Sequence, residues 1–101
     1  MEKVMGLAAE SPVVIFARRD CVISYTIETL IRSFGAYPTV YDLDDLQDRE
    51  EIREALGSLG CNDMPAVFIG KKFIGGSNEV MSLNVKGELK PKLIRAKAIW
   101  I

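Results

Sequence analysis

Short apolar runs alternate along the chain with segments whose apolar residues recur at helical spacing. The first run, residues 12–17, is continuous and rich in β-branched side chains, which is typical of a strand buried on both faces. Past Cys21 the period changes, and the apolar residues lie three or four positions apart. This spacing predicts a helix that ends at Gly35 and carries an apolar stripe of Ile23, Ile27, Leu30 and Phe34.

The remaining segments continue the alternation of strands and helices. Residues 39–43 predict a second strand, and residues 49–59 predict a helix that follows an acidic segment and ends at Gly60. Ala66–Ile69 predicts a third strand, and a tight turn leads to a fourth at Phe73 and Ile74. Ser77 is predicted to cap a helix over residues 78–83, and further helices are predicted near residues 4–8 and over residues 88–98.

These elements predict a single α/β domain that covers residues 1–101. The helix between the first two strands is long enough to form a crossover, which makes those strands parallel neighbours. The turn between the last two strands has room only for an antiparallel hairpin. A four-stranded mixed sheet flanked by helices on both faces is the thioredoxin fold.

The composition narrows the chemistry. The chain has no histidine and two cysteines, which excludes an imidazole base and a Cys₄ zinc site within one chain. A net charge of −1 provides no electrostatic surface for nucleic acid or for an anionic membrane. The apolar runs are far shorter than the ~20 residues of a membrane span. The N-terminus lacks the features of a secretory or transit peptide, so we expect the protein in the cytosol or nucleus, where thiols stay reduced.

Cys21 is the candidate nucleophile, because it lies where the first strand ends and the first long helix begins. The N–H groups and dipole of a helix N-terminus favour thiolate over thiol, and Arg18 and Arg19 add positive charge. The alternative is that Cys21 is a small apolar residue at a strand end. Ser24 takes the place of the second cysteine of a Cys-x-x-Cys pair. Its hydroxyl can donate a hydrogen bond to the thiolate or bond its own helix backbone.

A lone thiol of this kind implies a particular reaction. The Cys21 thiolate attacks a mixed disulfide, becomes part of a new mixed disulfide and needs an external thiol for its release. Glutathione is the abundant external thiol of such a compartment. Cys61, four residues before Pro65, is either a resolving thiol for Cys21 or a loop cysteine without a redox role.

Two further segments predict ligand contacts. Pro65 directly precedes the third strand, where a proline is compatible with the sheet. A cis peptide at this position would turn the backbone groups of Met64 towards an extended ligand. The Gly75-Gly76-Ser77-Asn78 segment leads into a helix N-terminus, which favours an anion such as a ligand carboxylate.

The order and spacing of these three segments resemble the glutaredoxin family over nearly the whole chain. Within this family the chain is most similar to the plant CC-type (class III, ROXY-like) group. Four features carry the second resemblance: the Lys3-Val4-Met5 start, the segment from Val67-Phe68-Ile69-Gly70-Lys71 through Gly75-Gly76, the Val80-Met81-Ser82-Leu83 segment and the Ala98-Ile99-Trp100-Ile101 ending. The resemblance implies a glutathione-dependent monothiol oxidoreductase with Cys21 as the nucleophile and Ser24 beside it.

The resemblance also implies how glutathione is held. Its glycyl carboxylate is expected near Arg18, and its cysteinyl backbone on Met64 beside cis-Pro65. Its γ-glutamyl carboxylate is expected on the backbone amides of Gly76 and Ser77. Its γ-glutamyl amine is expected on Asn78, where dithiol members usually have Asp. The implied glutathione-binding residues are therefore Arg18, Met64, Pro65, Gly76, Ser77 and Asn78.

Two alternative functions follow from the same resemblance. CC-type members carry a cysteine beside the nucleophile and a C-terminal Leu-x-x-Leu-Leu element linked to TGA-type bZIP transcription factors, whereas this chain has Val22 and Lys92 at those places. The first alternative is a redox-linked adaptor of such factors with little catalysis. The second is an iron–sulfur carrier, in which Cys21 and glutathione from each of two protomers hold a [2Fe–2S] cluster. We expect a monomer, or a dimer bridged by the cluster.

Overall fold

The computed structural model of the protein describes residues 2–18, 22–60 and 65–98. Strands and helices alternate as the sequence predicts, with a 3₁₀ turn over Leu43–Asp45 after the second strand. In chain order the elements are α1 (Glu2–Ala8), β1 (Val13–Ala17), α2 (Val22–Ser33), β2 (Thr39–Asp42), α3 (Arg49–Ser58), β3 (Ala66–Ile69), β4 (Lys72–Gly75), α4 (Ser77–Val85) and α5 (Leu89–Arg95).

The four strands form one mixed sheet in the order β2-β1-β3-β4. β1 and β2 are parallel, as the helical crossover requires, and β3 and β4 form the antiparallel hairpin. β1 also pairs with β3 in the antiparallel sense, with Phe16 opposite Ala66. The sequence did not predict this central pairing, because no short loop joins the two strands. The predicted fold class, a mixed sheet of the thioredoxin fold, is confirmed.

The central strand β1 is buried along its whole length because helices cover both faces of the sheet. Its residues alternate between two clusters, as the period of a strand dictates. Val14 and Phe16 pack with α1 and α3, whereas Val13 and Ile15 pack with α2, α4 and α5. None of the described helices is both long and apolar enough to cross a membrane.

The predicted apolar stripe of α2 is wrong at its first position. Ile23 is 53% exposed, whereas the next residue, Ser24, is only 6% exposed. The buried positions of α2 are Ser24, Ile27 and Ile31, which follow one another at intervals of three and four. The buried face is therefore set by these three positions, and α2 brings a hydroxyl rather than an apolar side chain to the sheet in its first turn.

Two helix boundaries also differ from the prediction. α4 begins at Ser77 itself, so that Gly76 and not Ser77 is the N-cap residue. The Gly76 N–H donates to Glu79 Oε2 at 3.1 Å, so a carboxylate in the first turn takes over part of the capping role. α5 ends at Arg95 rather than at residue 98. Lys97 has a φ of +64°, which an α-helix cannot continue through.

Candidate active site

The register of the sheet gathers the predicted site segments at one end. Ala17 at the end of β1 lies opposite Asp42 at the end of the parallel strand β2. Because β3 runs antiparallel to β1, its first residue, Ala66, lies opposite Phe16. β4 is antiparallel to β3, and its last residue, Gly75, lies opposite Val67. The residues that flank these strand ends, Arg18, Pro65 and Gly76, therefore share one end of the sheet.

Arg18 and Ser24 line the same cavity at this end. The cavity has a volume of about 220 Å³, and its other lining residues are Ala17, Tyr25, Glu28, Val40 and Asp42. The Ser24 hydroxyl oxygen is buried and has no hydrogen-bond partner among the described residues. Because an unsatisfied buried hydroxyl costs about 1–3 kcal/mol, a further partner for this group is expected.

The first turn of α2 provides a suitable environment for an anion. It contains no acidic residue, so no side chain of the helix offsets the positive end of its dipole there. Cys21 immediately precedes Val22, the first residue of α2. Cys21 itself lies outside the described residues, as do the other predicted positions Arg19, Cys61 and Met64.

The exposed side of this turn is apolar. Val22 is 78% exposed and Tyr25 is 70% exposed, and Ile23 is also largely in contact with solvent. Tyr25 is therefore a helix-surface aromatic that at the same time lines the cavity beside Ser24. The first turn of α2 therefore exposes three large apolar side chains, Val22, Ile23 and Tyr25, to solvent.

Pro65 and Gly76 approach each other closely. Pro65 is buried directly before β3. A Cβ atom added to Gly76 would lie 3.4 Å from the Pro65 carbonyl oxygen. The structure therefore joins the proline segment and the glycine segment that the sequence analysis identified separately. The conformation of the Met64–Pro65 peptide stays a prediction, because Met64 is outside the described residues.

Gly75 is required for the turn from β4 into α4. Its φ is +135°, a conformation that L side chains rarely adopt. A Cβ atom on Gly75 would lie 2.6 Å from Cγ and 2.7 Å from Cβ of Glu79. The Glu79 side chain thus lies across the two glycines and carries its carboxylate to the Gly76 amide.

The first turn of α4 presents backbone donors at the same end of the sheet. Ser77 and Asn78 are its first two residues, and N–H groups at such positions have no acceptor within the helix. They can bind a carboxylate. The Gly76 amide, which the sequence analysis assigned to the same ligand carboxylate, already donates to Glu79.

Three acidic residues of the site were not predicted from the sequence. Asp42 and Glu28 line the cavity beside Ser24, and Glu79 lies on the glycine turn. The predicted parallel pairing of β1 and β2 could have identified Asp42, because it brings the ends of the two strands together. Glu28 is four residues after Ser24 on the same helix, and the helical period could have identified it.

Known proteins similar to this chain include plant relatives that match it over its whole length. The sequence pattern of the family described as "Glutaredoxin" matches residues 13–74. The chain is 51% identical to monothiol glutaredoxin-S6 of Arabidopsis thaliana over the full length of both chains. It is 44% identical to glutaredoxin-C13 of the same plant over 90% of both chains.

Solved structures give the same result. The fold is similar to that of buckwheat glutaredoxin in its glutathione complex, with a TM-score of 0.92 and 33% sequence identity. That match covers 98% of this chain and 91% of the buckwheat chain. The holo form of glutaredoxin C1 from Populus tremula x tremuloides matches with a TM-score of 0.89 and 35% identity, over 97% of this chain and 89% of the other.

Proposed function

The chain belongs to the glutaredoxin family, and we propose that it reduces protein–glutathione mixed disulfides through Cys21. The observation that carries this proposal is the arrangement at one end of the sheet. Pro65 and Gly76 approach each other there, at the same end of the sheet as Arg18. Ser24 lines a cavity with Arg18, and in the sequence Cys21 directly precedes α2. A thiol at this point has a helix N-terminus, a buried hydroxyl and backbone donors for a ligand around it.

The reaction takes place in two thiol–disulfide exchanges. The Cys21 thiolate attacks the glutathione sulfur of the mixed disulfide, and the substrate sulfur leaves as a thiolate that takes up a proton. Cys21 is then joined to glutathione. The thiolate of a free glutathione attacks the glutathione sulfur of this disulfide, so that Cys21 is released and glutathione disulfide forms. The reaction therefore consumes one molecule of free glutathione, and the other half of the glutathione disulfide comes from the mixed disulfide itself.

Ser24 supports the thiolate in this scheme. The residue is three positions after Cys21, in the first turn of α2, and its buried hydroxyl needs an acceptor. A thiolate that accepts this hydrogen bond is favoured over the thiol, because the bond stabilises the charged form. No imidazole is present to act as a base, so the helix dipole, Arg18 and this hydroxyl account for the activation.

Glutathione has charged groups that fit the described residues. Arg18 follows β1 and suits the glycyl carboxylate. The N–H groups of Ser77 and Asn78, which have no acceptor within α4, suit the γ-glutamyl carboxylate. Since the Gly76 amide donates to Glu79, we assign this carboxylate to Ser77 and Asn78 rather than to Gly76 and Ser77. The Glu79 carboxylate then lies close to the γ-glutamyl amine, which Asn78 cannot neutralise.

A coupled assay with a small glutathione mixed disulfide tests the function. We expect Cys21→Ser to abolish the reduction, because it removes the nucleophile. Cys61→Ser is the matched control, since it makes the same substitution at the other cysteine, and it should keep the wild-type rate. Mass spectrometry of the wild-type protein after one exchange should locate the glutathione adduct on Cys21. Full activity of Cys21→Ser, or an adduct on Cys61 instead, would contradict the proposal.

The two alternatives stay predictions. α5 buries Leu89 and Leu93 completely, so these leucines of the C-terminal element support the core and are not available to a transcription factor. The end of the chain past residue 98 lies outside the described part.

The iron–sulfur carrier depends on Cys21 as a cluster ligand, and Cys21 is not among the described residues. The described residues include no group of three His, Cys, Asp or Glu side chains that could hold a metal ion. The absorption spectrum after anaerobic reconstitution with iron and sulfide tests the cluster directly.

A further inference from the structure

The small net charge of the chain conceals two oppositely charged sides. Residues 41–54 contain seven acidic and two basic residues, a net charge of −5. Residues 70–101 contain seven basic and two acidic residues, a net charge of +5. The first segment includes the end of β2 and α3, and the second includes β4, α4 and α5. β2 and β4 are the two outer strands of the sheet, so the acidic segment includes one edge and the basic segment the other. The helix α3 of the acidic segment also packs on the face of the sheet opposite to α4 and α5.

A groove follows the basic edge. It consists of two cavities, of about 590 and 200 Å³, which share Ile74 and Lys92 as lining residues. The larger cavity is also lined by Phe73 and Leu83 and, at the start of α4 where the glutathione carboxylate is proposed, by Asn78 and Glu79. The smaller cavity is also lined by Lys72 and Arg95. We call these two joined cavities the β4 groove.

The groove runs along the side of β4 and not over one face of the sheet. Phe73 and Ile74 are consecutive in the strand, so their side chains point to opposite faces. A cavity lined by both must therefore lie at the edge of the strand. Within the described part of the chain, β4 pairs with β3 on one side and with no strand on the other. Its free backbone groups can bind one more strand.

The side chains around the groove combine a half-buried apolar floor with a basic rim. Phe73, Ile74 and Leu83 are half-buried and form the apolar part. Lys72, Lys92 and Arg95 supply three positive charges, against one negative charge at Glu79. An occupant of matching character is extended, acidic and apolar at alternate positions.

We propose that the β4 groove binds an extended acidic segment of a partner protein as an additional strand beside β4. The backbone of the segment pairs with β4. Its apolar side chains lie on the face of Phe73, and its carboxylates lie on the opposite face, towards Lys72, Lys92 and Arg95. A second copy of the chain joined through its own β4 edge is disfavoured, because two β4 edges would bring like charges together. The proposal concerns binding alone and does not depend on the thiol chemistry.

Fluorescence anisotropy with a cysteine-free probe tests this groove. The probe is a short fluorescein-labelled peptide in which Glu alternates with Leu and Val. We expect the wild-type protein to bind it, and the double variant Lys72→Gln/Lys92→Gln to bind it about tenfold more weakly. The matched control is Lys86→Gln/Lys90→Gln, which removes the same charge from the same basic segment at positions that do not line the groove. We expect the control to change the affinity less than twofold.

Each other result overturns the proposal. Equal losses in the two double variants would indicate attraction to the basic segment as a whole. A peptide of Glu alone that binds as tightly as the probe would exclude a role for the apolar floor, and absence of binding would exclude the docking site. If sedimentation reveals a dimer that Lys72→Gln/Lys92→Gln dissociates, the occupant is a second copy of the chain. None of these results bears on whether Cys21 reduces mixed disulfides.

Discussion

The site end of the sheet and the contact between α1 and α3 are held by different kinds of interaction. At the site end, atoms meet at close range, as where the buried Gly75 lies under the Glu79 side chain. Between α1 and α3, Lys3 forms ion pairs with Asp48 at 2.8 Å and with Glu51 at 3.1 Å, and about half of each side chain is exposed. Exposed ion pairs contribute little to stability, whereas a close buried contact tolerates no added atom. Substitutions at the site end should therefore have the larger effects.

The largest effect is expected at Gly75. In Gly75→Ala the new methyl group would overlap Cβ and Cγ of Glu79, and the φ of +135° would be strained as well. Backbone strain and overpacking each cost about 1–3 kcal/mol, so we expect a loss of roughly 2–6 kcal/mol in the free energy of unfolding, measured by urea denaturation. The glutathione-coupled activity should fall with it, because Gly76 and α4 must shift.

Gly87→Ala is the matched control for this prediction. Gly87 also has a positive φ, +72°, but an added Cβ would meet no atom within 4 Å. Its cost is the backbone term alone, roughly 1–2 kcal/mol. If the two variants lose the same stability, the contact with Glu79 has no energetic role and the contrast between the two regions fails.

The next effect is expected on the chemistry of Cys21. Ser24→Ala removes the buried hydroxyl that has no described partner. A hydrogen bond to a charged group contributes about 1.5–3 kcal/mol, so its loss should raise the pKa of Cys21 by at least about one unit. The pH dependence of alkylation measures this, in a Cys61→Ala background where Cys21 is the remaining thiol. Activity should decrease without being lost.

The free energy of unfolding of Ser24→Ala distinguishes a hydroxyl that supports the Cys21 thiolate from a hydroxyl that has no hydrogen-bond partner. If Ser24 has no partner at all, its removal should stabilise the fold and leave the alkylation profile of Cys21 unchanged. Ser33→Ala is the matched serine-to-alanine change at the exposed end of the same helix, away from the site, where the Ser33 hydroxyl donates to the Leu30 carbonyl oxygen. A Ser24→Ala variant that is more stable and has an unchanged thiol pKa would contradict the support that we assign to Ser24.

The sequence predicted what depends on local pattern and missed what depends on tertiary contact. β3 and the segments around Cys21, Pro65 and Gly76 were predicted, because strand periods, prolines and glycines leave signals in the chain. The burial of Ser24 was missed, because the helical stripe was assigned from apolar residues alone. The contact of Glu79 with the two glycines depends on a turn conformation that residue types do not reveal.

The smallest effect is expected at the contact between α1 and its neighbours, at alkaline pH. Hydrogen bonds to Asp48 and then to Glu51 raise the pKa of Lys3 above its usual 10.5, and a hydrogen bond to Glu10 raises the pKa of Tyr41 above its usual 10.0. Both groups hold their proton more tightly in the folded state. Their contribution is therefore complete below about pH 10 and is lost as the pH rises through the two raised values.

Urea denaturation between about pH 9 and about pH 11 measures this loss. In Lys3→Met/Tyr41→Phe we expect the free energy of unfolding to decline less steeply across this range than in the wild type. The variant lacks the two groups that bind protons more tightly in the folded state. Lys86→Met removes a lysine to which the described part of the structure assigns no ion pair, and it should keep the wild-type slope. Since the side chains of Lys3 and its two partners are about half exposed, added salt should weaken the effect, whereas the Gly75→Ala defect should be insensitive to salt. A salt-sensitive Gly75→Ala defect would remove the distinction between packing at the site end and charge between α1 and α3.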